Sequence, residues 1–368
     1  MRSWVWLAML LVACSRGESD ESKPAPEPKP PVAAATDAAP GPVAVTSLAA
    51  LAEPGVGKKW IRGAALAVIR PGREPELAFV GDDGRGKPLT AETRFAIGSV
   101  TKVFTSLLLA DASLRGEVGL DEAASKAGKL RLPSREGKRL TLRQLSQHTS
   151  GLPRLPPLKP KSFSQPYQGY GEKELWPYLA ELELERAPGA AEEYSNLGAT
   201  VLGMALARRA GTDYDALVRE RLLKPMALAS TTMGPPTGQG LHLALGSNSR
   251  LDTTENWDLG IFAPAGAIWS SLGDMIKFAQ LNLAPSGPGE KILELAQKER
   301  LGWQRRKDGV LWHNGETAGF HSFVAVDRKG GYAVVVLANT ASQTVDLLGF
   351  AALDYARIQT STFTWPEP

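Results

Sequence analysis

Ser99-Val100-Thr101-Lys102 opens directly into Val103-Phe104-Thr105-Ser106-Leu107-Leu108-Leu109-Ala110, and the reading of the whole chain works outward from this stretch. Its apolar residues leave almost no polar face, so a largely buried helix is expected over Val100 to Leu114. A Ser at the start of that helix and a Lys three residues later share a face, one turn apart. A hydroxyl is a poor nucleophile until a neighbour takes its proton, and Lys102 is such a neighbour for Ser99. The positive end of the helix also favours negative charge developing on Ser99. An isolated pair of this kind is usually a Ser cap beside a solvated Lys. Here it is the only Ser-x-x-Lys in the sequence.

Upstream, Ala64-Ala65-Leu66-Ala67-Val68-Ile69, a turn at Pro71-Gly72 and Leu77-Ala78-Phe79-Val80 before Gly81 read as a β-hairpin. Downstream, most apolar runs as far as Phe278 have helical length, Gly198 to Arg209 among them. Strands return with Val310-Leu311-Trp312, Phe320 to Val326 and Tyr332 to Leu337, and Asp346 to Ile358 reads as a closing helix. Strands at both ends with helices between predict an α+β domain. Its mostly antiparallel sheet is built from both chain ends, with flanking helices and an inserted helical region.

Two further motifs carry chemistry. Tyr194-Ser195-Asn196 follows Pro188-Gly189 and opens the helical run Leu197 to Ala207. A phenol whose pKa is depressed by a nearby ammonium can act as a general base, and an amide can hold a substrate carbonyl. Asn196 could equally cap the helix. His313-Asn314-Gly315 ends a short strand and precedes Glu316-Thr317-Ala318-Gly319. A residue as small as Gly315 lets a substrate backbone approach, so that the next amide, that of Glu316, can point at an oxyanion. Lys307-Asp308-Gly309 and Lys329-Gly330-Gly331 compete for this role but read as turns between strands. His242 and His321 have no metal-ligand spacing with carboxylates or Cys, so neither a metal nor a cofactor is expected.

Singly these motifs are weak. In this order, Ser-x-x-Lys, Tyr-x-Asn and His-x-Gly resemble the three signatures of the serine β-lactamase and penicillin-binding protein superfamily, in its class C-like branch. Supporting phrases are Phe95-Ala96-Ile97-Gly98, the run Leu142 to Pro153 and Pro264-Ala265-Gly266-Ala267-Ile268-Trp269-Ser270. The resemblance spans residues 63 to 358. It implies that Ser99 is acylated while Lys102 and Tyr194 share the proton traffic. It further implies that Asn196 orients the substrate, His313 lines the strand wall of the pocket, and the amides of Ser99 and Glu316 form an oxyanion hole. His148, in His148-Thr149-Ser150-Gly151, is by the same resemblance a structural turn.

Class C β-lactamases, DD-peptidases, D-aminopeptidases and esterases share these motifs, which leaves the small-molecule or peptide substrate open. Most β-lactamases of the superfamily carry Lys where this chain has His313. A neutral imidazole attracts a β-lactam carboxylate less, and Glu316 repels it, so amide or ester turnover is expected to exceed β-lactam turnover. The competing reading is a non-catalytic lipoprotein that binds peptidoglycan peptides or β-lactams as a sensor. No Gly-x-Ser-x-Gly elbow supports an α/β-hydrolase.

The 368 residues carry a net charge of only +3, with no basic stripe, which argues against nucleic acid as a partner. Met1-Arg2-Ser3, the apolar run Trp4 to Ala13 and then Cys14 read as a signal peptide over residues 1–14, the run being about half the ~20 residues needed to span a bilayer. Leu11-Val12-Ala13-Cys14 resembles a bacterial lipoprotein cleavage box, with Cys14 as the lipidated residue. That implies anchorage in the cell envelope, at the periplasmic face of the outer membrane. Residues 15–45, rich in Pro and Ala, read as a tether, and residues 46–368 as the hydrolase domain, expected to be a monomer. Cys14→Ser is expected to abolish membrane fractionation; membrane residence that survives the change would overturn the anchor.

Overall fold

A computed structural model describes residues 43–160, 162–361 and 363–366. The signal peptide, Cys14 and nearly all of the tether lie outside the described residues. The tether's last part does not: Val43–Ala44 pairs antiparallel with Thr360–Ser361, so the folded domain begins before the residue 46 read from composition.

The main sheet contains β1 (Gly63–Ile69), β2 (Glu76–Gly81), β3 (Leu311–Glu316), β4 (His321–Asp327) and β5 (Tyr332–Ala338). Its spatial order is β2-β1-β5-β4-β3, with the short strand Gln304–Arg305 at the edge beyond β3. Every strand pairing in it is antiparallel, and the two ends of the chain meet where β1 pairs with β5. The apolar runs of β1, β4 and β5 are unbroken because both faces of the sheet are covered. Strand side chains alternate: Ala65, Ala67 and Ile69 enter one core, and Ala64, Leu66 and Val68 enter the other. In β5, Val335 and Leu337 face the first core while Val334 and Val336 face the second.

Leu48–Gly57 and the closing helix α4 (Thr344–Ile358) cover the second face. The first face receives α3 (Leu272–Leu283) and, behind it, the inserted helical region built on α1 (Thr101–Leu114) and α2 (Asn196–Ala210). Helix α1 is buried from Thr101 to Ala112, as its all-round apolar sequence requires, and Phe104 stacks on Phe278 of α3 at 4.6 Å. A second sheet was not expected, and two of its three strands lie inside the stretch read as helical. Arg94–Ala96, Ile268–Ser271 and Thr232–Met233 form a small antiparallel sheet of their own. The central strand of this sheet stands beside the start of α1. Ile97 donates its amide to Ile268 O at 2.9 Å, and Ile268 donates to Thr101 Oγ1 at 3.1 Å.

Candidate active site

Ser99 sits in a tight turn, Gly98–Val100, between the strand Arg94–Ala96 and α1. Gly98 adopts φ +49°, a left-handed value that favours glycine, and a Cβ there would lie 2.8 Å from the Glu316 nitrogen. Gly315 is equally constrained, since a Cβ on it would lie 2.0 Å from Ile97 O and 2.7 Å from the Ser99 nitrogen. The expected reason for Gly315 is therefore corrected: the backbone it admits is that of the turn carrying Ser99. This close approach makes the amides of Ser99 and Glu316 neighbours. His313-Asn314-Gly315 also lies within β3 and does not end it.

Lys102 is almost wholly buried, with 2% of its surface exposed, and its Nζ lies 2.9 Å from Ser99 Oγ. Nζ donates to the carbonyl of Ala265 at 2.6 Å, which gives the Pro264-Ala265-Gly266 phrase its task of aiming the amine. Burial disfavours the ammonium and the Arg154 cation adds repulsion, so the Lys102 pKa falls well below 10.5.

Tyr194 departs from expectation in the opposite direction. Burial pushes its phenol up to about 12, and the hydrogen bond it shares with Ser99 together with the Arg154 charge offsets only part of this. Burial thus makes the amine a weaker base than usual and the phenol a weaker acid, the reverse of a depressed phenol serving an ammonium. The Tyr194 ring packs against Lys102 Nζ at 4.9 Å, Arg154 Cζ at 5.2 Å and the His148 ring at 4.6 Å.

The phrase from His148 to Arg154 lies alongside the residues around Tyr194. Glu193 donates to His148 O at 2.7 Å, Ser195 Oγ donates to Pro153 O at 2.7 Å, and Asn196 donates to Arg154 O at 3.0 Å. His148 itself, in a left-handed turn at φ +60°, accepts the Ser195 amide on Nδ1 at 3.2 Å. Burial, then repulsion from Lys102, His313 and Arg300, lowers its pKa to about 3, so it is neutral. It is part of the turn that was expected, and it is also a wall for Tyr194.

A cavity of about 340 Å³ opens at Ser99, and Tyr194, Asn196, Gly315 and Glu316 line it as expected. His313 does not line it. The ring is buried beneath, 1% exposed, where Nδ1 donates to Asn314 O at 2.6 Å and Nε2 has no partner. Burial and then Lys102 repulsion hold its pKa at about 4, so a neutral imidazole faces the Tyr194–Lys102 region from below. Its expected place on the substrate wall is corrected because odd-numbered residues of β3 point inward, while Asn314 and Glu316 point out.

Glu316 is not a lone carboxylate. Its Oε2 lies 3.1 Å from His321 Nδ1, and Asp346 Oδ1 lies 2.8 Å from His321 Nε2. Burial opposes the imidazolium, but these two hydrogen bonds overcome it and raise the His321 pKa to about 9. With His321 charged, the trio carries a net charge of about −1. Asn314 Nδ2 donates to the other Asp346 oxygen at 2.7 Å.

Sequence reasoning missed Arg154, Tyr167, Trp257, His321 and Asp346 as cleft residues. Tyr167 and Trp257 meet edge-to-face at 5.4 Å from two stretches with no apolar periodicity, and aromatics in such stretches were the available signal. Trp257 also borders a second cavity of about 420 Å³, walled by Met233, Pro235, Leu259 and Trp269. Among the described residues, no three His, Cys, Asp or Glu side chains gather as metal ligands would.

A family model described as Beta-lactamase matches residues 48–356. The chain is 26% identical to a protein named "Beta-lactamase" from Escherichia coli K12 over 337 residues, covering 78% of this chain and 86% of that one. It is 32% identical to the "D-alanyl-D-alanine-carboxypeptidase/endopeptidase AmpH" of the same organism over 191 residues, 51% of this chain and 48% of that protein. It is also 24% identical to "Protein flp" of Staphylococcus aureus strain MW2, over 79% of this chain and 62% of that one.

Proposed function

The chain belongs to the beta-lactamase family of serine hydrolases, and from that premise we propose that it is an exported enzyme. We propose that it cleaves a cell-wall D-peptide, a D-amino-acid amide or a small ester through an acyl group on Ser99, with β-lactams as poorer substrates. The observation that carries this reading is Lys102 Nζ, buried, depressed in basicity and 2.9 Å from Ser99 Oγ.

The steps use the directions in which burial moves the two groups. Lys102, in its unprotonated form, takes the Ser99 proton as Oγ attacks the substrate carbonyl. Negative charge on the carbonyl oxygen is met by the adjacent amides of Ser99 and Glu316. Protonated Tyr194 gives its proton to the leaving nitrogen or oxygen as the scissile bond breaks, and the Lys102 ammonium restores it. Water then attacks the acyl-enzyme, its proton returning by the same groups, and Ser99 is regenerated. Asn196, on the cleft wall beside Ser99, holds the acyl portion.

The preference against β-lactams has two supports. His313 is neutral and buried below the cleft, so it presents no cation to a carboxylate in the leaving portion. The Glu316–His321–Asp346 trio adds net negative charge to that wall. A side-by-side panel tests this: nitrocefin, a D-alanyl-D-alanine peptide, a D-amino-acid amide and p-nitrophenyl butyrate. The peptide, amide or ester should rank first in kcat/KM. Nitrocefin hydrolysis at about 10⁴ M⁻¹s⁻¹ or faster, at the lower edge of ordinary enzyme efficiency, with the others ignored, would overturn the preference. Labelling of Ser99 without turnover of any of them would favour the sensor.

A further inference from the structure

We propose that Arg154 is an anion subsite of the cleft, seating a carboxylate carried by the acyl portion of the substrate. This deepens the hydrolase reading above and rests on it. Arg154 and Ser99 line the same cavity of about 340 Å³. The residue is anchored at the start of α2, because its carbonyl accepts the amides of Asn196 at 3.0 Å and Leu197 at 3.2 Å. Its guanidinium is held over the Tyr194 ring at 5.2 Å. The backbone thus fixes the base of the side chain, and the aromatic face steers its head toward the cavity.

The charge balance of the cavity points to a ligand. Glu316 and Asp346 are both bonded to His321, and Asp346 is bonded to Asn314 as well. Among the described residues, Arg154 has no carboxylate within ion-pair distance, although it has five N–H donors in a planar fork that fits one. The first amides of α2 are taken by Arg154 O and Ser195 Oγ, so recognition of an anion at this wall falls to the guanidinium.

The cleft is consequently polarised, with a cation on the α2 wall and net negative charge on the β3–α4 wall. A substrate carboxylate is drawn to the first and repelled by the second, which sets the direction of binding. Arg154 shares its wall with Asn196, where the acyl portion is held. The carboxylate of a penicillin or cephalosporin is attached next to the scissile nitrogen, in the leaving portion, and so does not reach Arg154.

The test compares two esters with one leaving group, p-nitrophenyl butyrate and the p-nitrophenyl monoester of glutaric acid, on the wild type, Arg154→Gln and Arg154→Lys. Arg154 also repels the Lys102 ammonium, so its loss alters both turnovers; the ratio of the two kcat/KM values cancels that common effect. The wild type should favour the glutarate ester. Arg154→Gln should lower the glutarate-to-butyrate ratio by roughly 10- to 100-fold, mostly through KM, the range of a charge-assisted hydrogen bond. Arg154→Lys should restore part of it, and added salt should erode the wild-type preference. Fluorophosphonate labelling of Ser99, measured on each variant, reports the hydrolase reading separately. Intact labelling with a ratio unchanged in Arg154→Gln overturns the subsite and leaves that reading standing. Absent labelling in the wild type overturns both.

Discussion

Ser99→Ala should lose about 10⁴-fold or more in turnover of whichever ester or amide the wild type cleaves best, the scale of removing the nucleophile from a concerted catalytic group. It should also lose its covalent adduct with a fluorescent penicillin or a fluorophosphonate, mapped by mass spectrometry. The structure gives the reason. Ser99 has a buried amine 2.9 Å from its oxygen, shares a hydrogen bond with a phenol, and sits where the Gly315–Glu316 backbone passes close against its own turn. The variant should keep the fold, because Ser99 caps no helix: no side-chain cap bond forms at the start of α1. An adduct on another serine, or undiminished turnover in Ser99→Ala, would sink the assignment.

The second large effect concerns the proton pair. Lys102→Ala and Tyr194→Phe should each cost roughly 10²- to 10⁴-fold in kcat/KM, the usual range for a positioned acid or base. The double variant should be far less than additively worse, since two groups acting on one proton path lose the whole effect together. The direction of pH dependence follows from the burial of Lys102. Its amine works only when unprotonated, and its pKa lies below the ordinary value, so activity should fall as pH drops through that depressed pKa. That limb should vanish from the residual activity of Lys102→Ala. Tyr194, raised to about 12, stays protonated across the same range and contributes no limb near neutrality. Strict additivity, or an acidic limb that persists without Lys102, would show that the two do not share a path.

How much of this was legible differs from residue to residue. Ser99 and Lys102 were readable because their relation is local: helical geometry puts residues three apart on one face whatever surrounds them. The antiparallel sheet from both chain ends was readable because unbroken apolar runs bounded by turn residues recur at the two ends. The small sheet through Ile268–Ser271 was not, since its strands are only two to four residues long and Arg94–Ala96 lies more than a hundred residues before the other two. Tyr194, Asn196 and His313 were found by resemblance; their chemistry taken alone is ambiguous.

The charge states were not legible at all. That Lys102 is the weak cation and Tyr194 the weak acid depends on desolvation, and desolvation depends on what packs around each group after folding. Likewise His313 and His321 are the same residue type, yet one is held neutral at about 4 and the other charged to about 9. Burial and the nearby Lys102 act on the first, while two carboxylates grip the second.

By itself, then, the sequence determined the pairing of Ser99 with Lys102, the family and the α+β plan. Each of these is encoded in spacing and residue type within short stretches. Only the tertiary structure decided why Gly315 must be glycine, where Arg154 stands and which groups carry charge. Those follow from backbone hydrogen bonds and close approaches between segments remote in the chain, and such contacts leave no signature in the side chains that make them.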